Sequence, residues 1–179
     1  PELAHNLVIK ALALKLSPSI TSYSAPSLNI NVSGLNLENP IGLAAGFDKN
    51  AEAIDSLSKL GFGFLEIGGV TPLPQDGNPK PRLFRLQKDK AIINRFGFNN
   101  KGMKVIRSKL ENSLSKIPVG VNLGANKDSK NRIDDYSKVL LECGDFVDFA
   151  TLNISSPNTS KLRELQEPDN LKLLLLQLE

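Results

Sequence analysis

Residues 146–159, Phe-Val-Asp-Phe-Ala-Thr-Leu-Asn-Ile-Ser-Ser-Pro-Asn-Thr, pass from an apolar run into a polar one. The apolar part, Phe146–Leu152, reads as a buried strand. Pro157 and the surrounding Asn and Ser residues end it and open a loop. Two carboxamides (Asn153, Asn158) and three hydroxyls (Ser155, Ser156, Thr159) therefore sit where a strand runs out. In α/β folds, ligands bind at the C-terminal ends of strands. A carboxamide offers a donor beside an acceptor, which matches a cyclic amide or imide. A hydroxyl beside such groups can act as nucleophile or proton acceptor. A Ser/Asn-rich turn that caps a helix is the alternative reading of the same residues.

Working outward, the same pattern repeats. Ile41–Ala45 reads as a short buried strand of small residues and leads to Gly46-Phe47-Asp48-Lys49-Asn50. Such small residues let a flat ligand or another backbone approach closely. Asp48 and Lys49 can equally be an exposed turn pair capping the next helix, at Ala53, Ile54, Leu57 and Leu60. Gly61–Ile67 is a second strand, ending in Gly68-Gly69-Val70-Thr71. Arg82–Leu86 and Ala91–Ile93 flank Lys88-Asp89-Lys90 and read as a β-hairpin excursion. Asn94–Asn100 then caps a helix with a stripe at Met103, Ile106, Leu110 and Leu114. Pro118–Leu123 is a third strand, and a buried Asn122 within it must be paired. Helix 131–142 returns the chain to the opening stretch.

Strands alternate with helices and read as buried on both faces, which implies a parallel sheet. Each strand ends in a Gly/Asn/Ser/Lys cluster, the polarity a (β/α)₈ TIM barrel shows at its catalytic face. Only the first four βα units are present. The chain opens inside a helical pattern at Pro1 and stops inside another at Leu173–Leu178, so it reads as part of a longer protein.

Before the barrel, residues 28–39 alternate as a hairpin. Residues 1–16 read as a helix with a broad apolar side (Leu3, Leu7, Val8, Ile9, Ala11, Leu12, Leu14, Leu16), stopped at Ser17-Pro18. Such a helix packs on a core or lies in a membrane interface. The division is thus an N-terminal helical extension over 1–26 and the half barrel over 27–179.

Composition narrows the function. With 22 Lys and Arg against 19 Asp and Glu, the net charge of +3 argues for no nucleic-acid partner. One cysteine, Cys143, excludes an internal disulfide and a cysteine zinc site, and it falls on the stripe Ile133, Tyr136, Leu140 as a packed thiol. One histidine, His5, excludes a multi-histidine metal cluster, so no metal site is expected. No apolar run reaches the roughly 20 residues of a membrane span.

GLAAGFDKNAE (42–52), FGFLEIGGVTPLPQDGNPKPRLFRL (62–86), INRFGFNNKG (93–102), VGVNLGANKDS (119–129) and NISSPNT-x-x-LR-x-LQ (153–166) occur in this order. Together they resemble the dihydroorotate dehydrogenase family over nearly the whole chain, although each alone is weak. The resemblance implies an FMN-bound barrel that oxidises dihydroorotate to orotate in pyrimidine biosynthesis. It implies flavin contacts at Ala44, Ala45, Gly46, Phe47, Asp48, Gly69, Thr71, Asn122 and Asn153. Many members carry a hydroxyl at the position of Gly69; glycine here keeps only the backbone contact. Substrate contacts fall on Lys49, Asn94, Arg95, Phe96, Gly97, Phe98, Asn153 and Asn158.

The family divides by its base. Its cytosolic class uses a cysteine in a separate mobile loop, and its quinone-using class uses a serine, here Ser156. The N-terminal helix with His5 resembles the quinone-class extension, and Arg85 matches a tunnel-lining position. This reading gives an electron path to ubiquinone or menaquinone and a peripheral place on a bacterial or mitochondrial inner membrane. A cytosolic-class enzyme, another FMN barrel oxidoreductase and a non-catalytic half-barrel module are the alternatives.

Overall fold

The computed structural model describes residues 2–17, 20, 23, 25–159 and 161–179. Pro1 and Pro18, read above as the ends of the first helix, lie outside them. Helix α1 spans Glu2–Ala13 and buries Ile9 and Leu12. Its last turn is tied down by Ser56, whose hydroxyl donates to the Leu12 carbonyl at 2.6 Å. The broad apolar side divides: Leu3 is 73% exposed and Leu7 58%, while Ile9 and Leu12 face the core. Among the described residues, no helix is long and apolar enough to cross a membrane.

Strands β1 (Ile30–Val32) and β2 (Leu35–Leu37) pair antiparallel, as their alternation predicts. The main sheet is parallel and contains β3 (Gly42–Leu43), β4 (Phe64–Val70), β7 (Val119–Leu123) and β8 (Phe149–Leu152), adjacent in that order. Between β4 and β7 the chain makes the expected hairpin, β5 (Leu83–Leu86) with β6 (Ala91–Asn94). Helices α2 (Ile54–Leu57), α3 (Met103–Glu111), α4 (Arg132–Cys143) and α5 (Pro168–Leu178) follow strands β3, β6, β7 and β8. Strand order equals chain order, without the reversal of a doubly wound sheet.

Side chains alternate across the strands. Leu65, Ile67, Val121 and Leu123 join Ile54, Leu57, Ile106, Leu110, Tyr136, Val139 and Leu174 from the helices in one core. On the other face, Gly42 and Gly120 leave room for aromatic rings: a Cβ on Gly42 would stand 2.1 Å from Phe64, and one on Gly120 2.2 Å from Phe149. Those two rings meet edge-on at 6.0 Å.

Four sequence expectations are corrected. Among the described residues, only β7 is buried along its whole length; β3 and β8 are the sheet's edges, with Ile41 62% exposed beside β3 and Ala150 exposed in β8. Helix α2 is a single turn, so Leu60 lies beyond it. Leu114 lies past the end of α3 and is exposed. Strand β4 continues through Gly68 and Gly69 to Val70, where a loop was expected. Cys143 is fully buried among these helices, and burial pushes its thiol up to about 12, consistent with a packed residue.

Candidate active site

The strand ends converge. A cavity of about 330 Å³ opens over the C-terminal ends of β4, β7 and β8 and is roofed by the segment after β6. It gathers Ala45, Gly46, Lys49, Gly69, Asn94, Phe96, Gly97, Phe98, Asn122, Asn153, Ser156 and Asn158 from the residues singled out above. Its small-residue wall is open: Gly46 has φ of +97°, and a Cβ built there meets nothing within 4 Å. The Phe98 ring lies against Gly69, where an added Cβ would stand 2.8 Å from it.

Lys49 sits in the loop after β3. Its ammonium donates to the Gly46 carbonyl at 2.6 Å and lies 4.8 Å from the centre of the Phe96 ring. Burial pulls its pKa below the ordinary lysine value of 10.5, and Glu2 and Asp48 oppose that shift. Ser156 is half-buried, and its Oγ accepts the Asn158 backbone N–H at 3.2 Å. Asn78 donates to the carbonyls of Arg95 and Asn158 (3.0 and 3.2 Å), tying the loop after β8 to the hairpin exit.

The polar wall is a chain of carboxamides. Asn153 Nδ2 donates to Asn122 Oδ1 at 2.9 Å, and Asn122 Nδ2 donates to Glu66 Oε1 at 2.7 Å. The expected pairing of buried Asn122 is thus met on both sides. The Asn153 backbone is held by Tyr136 OH at 2.8 Å and by its own N–H to Leu123 at 3.1 Å.

Several expected residues lie elsewhere. Ala44 is exposed and outside the cavity. Asp48 is 2% exposed, and its carboxylate turns inward to accept the backbone N–H groups of Asn50, Glu52 and Ala53. It caps the turn into α2, the other reading of that residue, although buried rather than exposed. Thr71 is fully buried in a knot of loop residues: its hydroxyl donates to the Leu73 carbonyl and accepts from Asn100 and Asn126. Arg95 points away, its guanidinium donating to the Pro81 carbonyl at 2.8 Å.

A second cavity, of about 380 Å³, separates α1 from the loop after β3. His5 and Phe47 line it; the His5 ring donates from Nε2 to the Phe47 carbonyl at 2.7 Å and meets the Phe47 ring edge-on. Lys49, Phe96 and Asn99 line both cavities and form the partition between them. Arg85 lines neither: it is exposed on β5. The buried guanidinium beside the second cavity is that of Arg82, paired with Glu2 at 2.5 Å and also donating to the Asp76 and Asn78 carbonyls. That guanidinium holds Glu2 below the usual carboxylate range.

Three participants escaped the sequence reading. Asn99 has a buried Oδ1 without a partner among the described residues, and its position inside the quoted 93–102 motif was the available signal. Gly68 lines the cavity because β4 runs on past the expected end. Glu66 is a charged residue inside an apolar strand, which was itself a sign.

The profile of the dihydroorotate dehydrogenase family matches residues 27–179. A protein of Cereibacter sphaeroides named dihydroorotate dehydrogenase (quinone) is 54% identical over 176 residues, covering 98% of this chain and 50% of that protein. One of the same name from Bartonella tribocorum is 53% identical over 175 residues, covering 98% and 48%. Two crystal structures of the Eimeria tenella enzyme, one ligand-free and one with ferulenol, superpose with a TM-score of 0.93. They are 46% and 45% identical, cover 99% of this chain, and are themselves covered to 52% and 50%. The chain therefore spans about half the length of these relatives, and the likeness gives it a TIM-barrel-type α/β fold. The strand order, the cavity at the strand ends and these matches agree, and the chain belongs to the dihydroorotate dehydrogenase family.

Proposed function

We propose that this chain forms the first half of a quinone-dependent dihydroorotate dehydrogenase, which oxidises dihydroorotate to orotate with FMN in pyrimidine biosynthesis. The observation that carries the reading is the single cavity holding Lys49, Asn94, Asn153, Asn158 and Ser156 at the strand ends. A cation, three carboxamides and a hydroxyl match a cyclic imide that bears a carboxylate.

The residues present fit a flavin ring. Ala45, Gly46, Gly68 and Gly69 give a wall of small residues, and the space beyond Gly46 is open. Asn122 and Asn153 line the same space and would meet the ring's polar edge. FMN, when bound, supplies the acceptor for the substrate's hydride. The chain's own residues do the rest. Lys49 faces the substrate carboxylate, the asparagines orient the ring, and Ser156 Oγ takes the ring-carbon proton as its own hydroxyl proton passes to water. The Asn158 N–H directed at that Oγ stabilises the negative charge the oxygen gains as its hydroxyl proton leaves.

The same proposal completes the barrel. Edges β3 and β8 would pair with further strands, since a (β/α)₈ barrel leaves no edge. The loops after its last two strands usually hold the phosphate. Residues 1–26 form the extension, and the family match beginning at residue 27 supports that division. The exposed Leu3, Leu7 and Leu14 on and beside α1 suit a membrane surface where ubiquinone or menaquinone dissolves. The cavity under α1 then admits the quinone, one partition away from the flavin.

In the full-length protein, dihydroorotate is expected to bleach the flavin under anaerobic conditions, and a quinone to restore its colour. Fumarate and NAD are expected to restore it far more slowly. Deleting residues 1–16 should cut quinone-coupled turnover in lipid and leave flavin reduction by dihydroorotate intact. Normal turnover with a long-chain quinone after that deletion makes α1 core packing alone.

A further inference from the structure

We propose that Glu66 is the positioning residue that sets which way the two site carboxamides face, so that Asn153 presents its carbonyl oxygen to a ring N–H of the substrate; this rests on the function proposed above. Glu66 lies on β4, two residues before Gly68 and so on the same strand face, within an otherwise apolar run. A carboxylate can only accept hydrogen bonds. With Glu66 Oε1 at 2.7 Å, Asn122 must turn its NH₂ group toward β4. The reverse orientation would set a carbonyl oxygen against the carboxylate inside a buried site, since Asn122 is only 6% exposed.

The constraint propagates. The carbonyl oxygen of Asn122 then faces Asn153, which must offer its own NH₂ at 2.9 Å. Asn153 cannot escape by shifting its backbone, which Tyr136 and Leu123 hold from two sides. Its Oδ1 is left pointing onward, where its hydrogen-bond partner is the Ser155 hydroxyl at a long 3.3 Å. A carboxamide flipped by half a turn has almost the same shape, so packing alone would not choose between the two orientations. The choice comes from Glu66, and the aligned bonds polarise one another toward the site. The consequence is specificity: the site accepts a ring N–H at this edge and rejects a ring acceptor in its place.

Glu66→Gln tests this in the full-length flavoprotein. Glutamine keeps the shape and can donate as well as accept, so Asn122 and Asn153 lose their enforced direction. The probes are orotate and its two analogues in which one ring N–H is replaced by a ring oxygen, read by the change each causes in the flavin spectrum. Wild-type protein is expected to bind one of the oxa analogues at least about 10-fold more weakly than orotate, the cost of two facing acceptors. Glu66→Gln should weaken orotate binding by about 10-fold and shrink that discrimination to about 2-fold. Each titration is read per mole of bound flavin, because Asn122 and Asn153 also line the space proposed for the flavin. Glu66→Asp, still an acceptor-only group, should retain the discrimination even where affinity falls. Equal discrimination in wild type and Glu66→Gln overturns the assignment while leaving the proposed function standing. A wild-type protein whose flavin spectrum does not respond to orotate overturns both.

Discussion

Replacing Ser156 with alanine in the full-length protein is expected to slow reduction of the flavin by dihydroorotate by at least about 100-fold, the effect of losing an acid–base group. Ser156 is the cavity hydroxyl in the 153–159 loop that receives a backbone N–H, and that contact favours the deprotonated oxygen. Its neighbour Ser155 is exposed and bonds instead to Asn153. Ser155→Ala is therefore the control, with an expected change of only a few-fold. Ser156→Cys should retain part of the activity, with its pH profile displaced downward because a thiol ionises near 8.5. Stopped-flow reduction of the flavin separates these variants. Rates within a few-fold of wild type for Ser156→Ala would remove serine from the proton step.

Removal of the Lys49 charge should produce the second large effect. Lys49→Met is expected to weaken orotate binding by roughly 10- to 100-fold, the range for hydrogen bonds to a charged group. Its pH dependence follows from burial, which lowers the Lys49 pKa below 10.5. The ammonium is the form that meets a carboxylate, so affinity is held at low pH and lost as pH rises through the lowered pKa. The loss should therefore begin at a lower pH than a solvated lysine would give. Lys49→Arg keeps a charged group to higher pH and should remove that alkaline limb. Orotate titrations from neutral to alkaline pH measure both effects. An affinity that is flat to beyond pH 10.5 in the wild type would place Lys49 outside the binding step.

Much of this site could be read before any coordinates. Polar clusters at strand ends announced where the cavity lies, because a parallel α/β sheet leaves its C-terminal loops free for ligands. Asn122 was legible as a paired residue because an amide in an apolar strand cannot remain unsatisfied. The hairpin 83–94 and helix α4 followed from periodicity, with Asn131 accepting the Asp134 N–H at the helix start. What periodicity could not resolve is where side chains point within a loop. Asp48 and Lys49 are adjacent, yet one carboxylate folds inward onto three backbone N–H groups and the other side chain reaches the cavity. Thr71 and Arg95 lie in the right segments but spend their polar groups on neighbouring loops. Arg85 and Arg82 show the same limit: Arg85 is exposed on β5, while Arg82, just before that strand, is buried and pairs with Glu2 across 80 positions of sequence. Strand β8 is less buried than the apolar run Phe146–Leu152 suggests, because it lies at an edge of the sheet with Ala150 exposed.

The decisive measurement is a crystal structure of the full-length protein with orotate. The ring is expected in the cavity over β4, β7 and β8, its carboxylate within hydrogen-bond reach of Lys49 Nζ. Its polar edge should meet Asn94, Asn153 and Asn158, with Ser156 Oγ beside the ring carbon that loses the proton. Orotate in the cavity under α1, or contacts that bypass Lys49 and the three asparagines, would contradict that placement.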